Sequence, residues 1–109
     1  MVRACFSTRN GKPCGFTLKG HAGAAESGQD IVCAAVSSAA YMAVNTMTEI
    51  LGAEVTADVR DGYMKISLCG ENDAASDMIA GLRLHLKALA EDYPDFIKIT
   101  ARRCKECSR

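Results

Sequence analysis

The chain has 109 residues, sets 13 basic side chains against 13 acidic ones and is 49% hydrophobic. That length suits one small domain with a single core. The even charge gives no sign of a basic face, so direct nucleic-acid contact is not expected. Arg3 and Arg9 flank only a short apolar stretch, which is not a secretory leader, and no run reads as a membrane span of roughly 20 residues. The expectation is a cytoplasmic protein with no membrane partner.

Six cysteines would suit a disulfide framework in a secreted chain. In a reducing compartment they are free thiols, and Cys5, Cys14 and Cys69 fall in predicted strands, where a small apolar residue needs no further role. Cys104 and Cys107 form a CxxC close to the C-terminus. A zinc site needs four ligands, and no second CxxC or CxxH completes this one. The reading is a domain over residues 1–103 and a short tail over 104–109, with no metal and no cofactor.

In chain order, Val2, Ala4 and Phe6 alternate, which predicts a strand. Asn10-Gly11 is a hairpin turn signal, and a second strand follows over 14–19. A strict two-residue turn there would pair Phe6 with Gly15 and put Phe6 and Phe16 on opposite faces. A longer loop or a bulge near Pro13 is therefore expected. The main helix is predicted over 30–51, with Val32, Val36, Ala39, Ala43, Met47 and Ile50 as its core stripe. Asp30 is a good N-cap, with Ser27 an alternative start three residues earlier. Segments 53–59 and 63–69 form the clearest hairpin. Its Asp61-Gly62 turn pairs Val59 with Met64, Ala57 with Ile66 and Val55 with Leu68 on one face. Asn72 caps a second helix to about Asp92, with Ala75, Met78, Ile79, Leu82, Leu86 and Leu89 as its stripe, and Pro94 stops it. Ile97, Ile99 and Ala101 mark a last strand. The order ββαββαβ predicts an α+β, two-layer domain with both helices on one face of a mixed sheet.

The residues with chemical potential gather between the second strand and the first helix. Cys33, capped by Asp30, is the third helical residue in this reading, near free N–H groups and the positive end of the helix dipole. A cysteine among helical alanines can equally be inert packing. Cys33, however, is one residue off the Val32–Val36 stripe and shares a face with Ser37. His21 is the natural base, although strict alternation puts it opposite Phe16 and Leu18 unless Gly20 bends the chain. His85 reads as an exposed or edge residue of the second helix. Asp30 either caps the helix or orients His21. Ser37 either bonds at the site or back to a helix carbonyl. The loop over 22–29 holds Gly23 and Gly28 and no large apolar anchor, so it is expected to be mobile and to close over a substrate.

This stretch, Gly20-His21-Ala22 and then Asp30-Ile31-Val32-Cys33-Ala34-Ala35-Val36-Ser37 across a glycine-containing loop, resembles the signature of the bacterial ribosomal-processing cysteine proteases. The resemblance spans nearly the whole chain. It implies a catalytic dyad of Cys33 and His21, with Asp30 and Ser37 in the same signature. It also implies a homodimer and a substrate: the N-terminal extension of large-subunit ribosomal protein twenty-seven, cut after paired phenylalanines. Two other functions compete. One is a non-catalytic ribosome-associated module that holds a peptide, and the other is a redox protein using Cys104 and Cys107. The cysteine near the helix start favours the protease.

Overall fold

The computed structural model describes residues 1–20 and 27–103, and the side chains of all of these except 27–30. The elements are β1 (Val2–Arg9), β2 (Lys12–Lys19), α1 (Ser27–Asn45, continued by a π-helical turn over Thr46–Ile50), β3 (Val55–Arg60), β4 (Tyr63–Leu68), α2 (Asp73–Asp92) and β5 (Ile97–Arg103). The strands form one five-stranded sheet in the order β3-β4-β2-β1-β5. Every neighbouring pair is antiparallel except β1 and β5, which run parallel, so the sheet is mixed as expected.

Period-2 alternation sends Val2, Ala4 and Phe6 of β1, Phe16 and Leu18 of β2, and Met64, Ile66 and Leu68 of β4 to one face. That face meets Val32, Val36, Ala40 and Ala43 of α1, Met47 of the π-helical turn, and Ala75, Ile79, Leu82 and Leu86 of α2 in a single core. Complete burial of the valine, leucine, isoleucine, phenylalanine and methionine side chains among them stabilises by roughly 1.5–3 kcal/mol each. Among the described residues no helix packs on the other face of the sheet.

The first hairpin resolves the parity conflict by a bulge. The turn is the two-residue Asn10-Gly11, with φ of 56° and 78°, and Arg9 pairs with Lys12. The register then shifts between Ser7 and Thr8, leaving Cys14 as the extra residue. Phe6 is thereby opposite Phe16, with ring centroids 5.9 Å apart on the core side. The strand end is tied to α2 by the Ser76 hydroxyl, which donates to Pro13 O at 2.7 Å, and by the Lys12–Asp73 ion pair at 2.7 Å. The Asp73 hydrogen bond holds the Lys12 ammonium above the ordinary lysine range. The second hairpin has the expected register throughout, with Val59 opposite Met64, Ala57 opposite Ile66 and Val55 opposite Leu68. Its β3 half is an edge left largely uncovered, and Val59 is 46% exposed. The Asn72 side chain accepts from Ala75 N at 2.9 Å, the predicted cap of α2.

Three sequence expectations about α1 need correction. The helix starts at Ser27, the alternative start, so Asp30 is its fourth residue and not its N-cap, and Gly28 belongs to the helix and not to a loop. Ile50 is not in the core stripe: it is 75% exposed. The cause is the π-helical turn, in which Leu51 N–H donates to Thr46 O at 2.9 Å. The turn holds one extra residue, so Leu51 takes the inward position after Met47. The Thr46 and Thr48 hydroxyls donate back to Met42 O and Val44 O at 2.8 and 3.1 Å, supporting the widened turn. Finally, Ile31–Ile50 is long and apolar enough by composition to cross a membrane, contrary to the expectation that no run reads as a span. In this fold one side of it is the inner layer of the core.

Candidate active site

Val32 and Val36 fix the rotation of α1, because both are buried, with Val32 at 0% exposure. That rotation turns the neighbouring Cys33 to the edge of the core, where it is half-buried and in no disulfide. Ser37 and Tyr41 follow at one and two helical turns on the same face. All three line a cleft of about 500 Å³. Its second wall is the end of β2, with Leu18 and Gly20, and its third is the β3–β4 turn from Val59 to Met64.

Gly20 joins two of these walls. Its N–H donates to Gly62 O at 2.9 Å, which bolts the end of β2 to the second hairpin's turn. Its φ of 97° breaks the strand alternation, the bend that a histidine next in the chain needs to leave the phase of Lys19. A Cβ at this position would also run into the Met1 carbonyl oxygen. Gly20→Ala should therefore lower stability by about 1–3 kcal/mol through backbone strain alone, more with the clash. Thermal unfolding measures it, and an unchanged midpoint would refute the assignment.

The remaining signature residues divide. Ser37 and Gly20 share the cleft with Cys33. His21 and Gly23 lie outside the described residues, as does most of the loop expected over 22–29, and so do Cys104 and Cys107. The side chain of Asp30 is not described, and its position in the helix removes the capping role. The same shift makes Cys33 the seventh helical residue, beyond the unpaired N–H groups of the first turn. The dipole and the thiol's own N–H are thus weaker contributors to thiolate and oxyanion stabilisation than the sequence implied. His85 is exposed on α2 and lines a groove between the helices, away from Cys33. Among the described residues no group of three or more His, Cys, Asp or Glu is placed to hold a metal.

Sequence reasoning missed Tyr41, Val59, Arg60 and Tyr63. Tyr41 was findable, since it is eight residues after Cys33 on one helix face. The others are not, because they reach the cleft only through the pairing of β2 with β4, which sets Lys19 opposite Tyr63. The Arg60 guanidinium donates to both carboxylate oxygens of Asp58 at 3.1 and 3.2 Å and stacks 4.3 Å from the Tyr63 ring centroid. At an exposed site such contacts add little stability, but together they orient the arginine at the cleft mouth.

A half-buried helical thiol in an open cleft, on a mixed-sheet α+β frame, leaves room for a cysteine nucleophile to meet a peptide. Residues 1–98 match the family described as cysteine protease Prp. The chain is 33% identical over 92 residues to the ribosomal processing cysteine protease Prp of Bacillus subtilis strain 168, covering 78% of this chain and 82% of that protein. A Streptococcus mutans protein of solved structure is 32% identical, with a TM-score of 0.81 over 95% of this chain and 96% of that one. The essential ribosomal processing protease Prp of S. aureus, crystallised with a substrate peptide, is 24% identical. It shares the fold at a TM-score of 0.87 over 94% of this chain and all of that one. The chain belongs to the cysteine protease Prp family.

Proposed function

We propose that this cysteine protease removes the N-terminal extension of large-subunit ribosomal protein twenty-seven, with Cys33 as nucleophile and His21 as general base. The observation that carries the reading is that Cys33 and Gly20, the residue immediately before His21, line one cleft. In the mechanism His21 takes the thiol proton as Cys33 Sγ attacks the scissile carbonyl. The tetrahedral intermediate collapses to a thioester as His21 returns the proton to the leaving amine, and water then releases the acid. Exposed Val59 and Tyr41 beside the thiol offer apolar surface to the paired phenylalanines ahead of the cut. Ser37 is a polar neighbour one turn from the nucleophile. The cytoplasm, where thiols stay reduced, is the compartment that suits this chemistry.

A synthetic peptide spanning the extension, incubated with the protein, should yield two product masses that sum to the substrate plus one water. An intact peptide bound by the protein would instead support the non-catalytic module. The proposal includes a homodimer, supported by the apolar groove of about 550 Å³ between α1 and α2, where Met42 is exposed beside Ala39 and Met78. Sedimentation equilibrium measures it.

A further inference from the structure

The even charge of the whole chain conceals a segregated one. On the strands' helix-free face stand Arg3 of β1, Lys19 of β2, Arg60 of β3, Lys65 of β4, and Lys98 and Arg102 of β5. The single acid on this face among the described residues is Asp58, whose two oxygens are both taken by Arg60. Arg3, Lys19, Lys65, Lys98 and Arg102 are all exposed, and none has an ion-pair partner among the described residues. These five line a depression of about 410 Å³ floored by Cys5, Thr17 and Thr100. This corrects the expectation, taken from net charge, that no basic face exists.

The register makes the arrangement costly in isolation. Arg3 is directly opposite Lys19 on one side and Lys98 on the other, a row of three cations across three adjacent strands. Like charges in cross-strand positions destabilise a sheet. A bound polyanion reverses the sign of that contribution. A second copy of the same face does not, because a two-fold interface would bring two such rows together. Among the described residues only one aromatic, Tyr63, borders the depression, and Arg60 is stacked on its ring. The surface therefore offers cations and hydroxyls to a backbone, with little free ring area for bases to stack on. Tyr63 also lines the Cys33 cleft, so the two surfaces adjoin.

We propose that the helix-free face of the sheet binds the phosphodiester backbone of single-stranded RNA, without sequence preference, beside the peptide cleft. The choice of RNA over other polyanions rests on the proposed ribosomal substrate; the charge pattern itself does not depend on it. Fluorescence anisotropy of a short fluorescein-labelled uridine oligonucleotide, titrated with the full chain at several salt concentrations, tests this. Binding should weaken with salt with a log–log slope of about −3.5, as about five neutralised phosphates give on a single strand. The Arg3→Gln, Lys98→Gln, Arg102→Gln triple variant should bind at least about tenfold more weakly and flatten that slope by about 2. It should still cleave the ribosomal peptide at the normal rate, since none of the three lines the cleft. Absent RNA binding, or equal binding by both proteins, overturns the proposal. So does tighter binding of polyglutamate than of the RNA at equal charge, which would mark an acidic protein partner. So does a larger assembly lost in the triple variant, which would mark a second copy. Failure to cut the peptide leaves the anisotropy readings interpretable, so the two readings fail separately.

Discussion

Cys33→Ala is expected to abolish cleavage of the ribosomal peptide, lowering turnover by more than about a thousand-fold, as removal of a nucleophile does. The fold should survive. Cys33 is only half-buried and stands beside the core stripe, and alanine is the most favourable residue for a helix interior. Circular dichroism and thermal unfolding should therefore match the parent while product masses vanish. Cys33→Ser should be equally inactive. A serine hydroxyl holds its proton far more tightly than a thiol, and His21, the proposed base, is matched to the thiol's acidity. Turnover near the parent level in either variant would end the proposed mechanism.

His21→Ala is expected to reduce turnover by about a hundred-fold or more while leaving peptide affinity largely intact, because a general base acts on the proton and not on the substrate's hold. The KM-against-kcat split separates this from a binding role. A second readout is the rate at which iodoacetamide alkylates Cys33 at neutral pH, which should fall in the variant. Unchanged alkylation would mean that another group activates the thiol. His85 provides the control: it is exposed on α2 and absent from the Cys33 cleft, so His85→Ala should leave cleavage unaltered.

The architecture was readable because its signals are local and redundant. Each strand alternates, Asn72 caps α2, and Asp61-Gly62 sets a register that the apolar residues independently require. The conflict between turn length and the faces of Phe6 and Phe16 called for a longer loop or a bulge, and the bulge is what the hairpin has. What escaped was non-local or cumulative. The start of α1 was ambiguous because Ser27 and Asp30 are both good caps, and the wrong choice misplaced Cys33 by a full turn relative to the helix end. The π-helical turn goes with threonine hydroxyls that bond back to helix carbonyls, which no period-3.6 count detects. The site's third wall and the basic face both depend on which strands lie side by side, a property of the sheet order β3-β4-β2-β1-β5. Counting charges along the chain could not recover it.

The bulge at Cys14 bears on how this hairpin can change length. Pairing on one side of it sums to one register, Phe6 with Phe16, and on the other to a register one residue shorter, Arg9 with Lys12. Deletion of Cys14 would therefore leave the turn, the pairing of Arg9 with Lys12 and Thr8 with Pro13, and every inward-facing residue where they are. Loss of a residue from the β1 side, such as Thr8, would instead slide Phe6 past Phe16 and turn a core ring toward the basic face. Length variants of this hairpin should thus lose or gain a residue at position 14. That makes the irregular point of the strand its most permissive one.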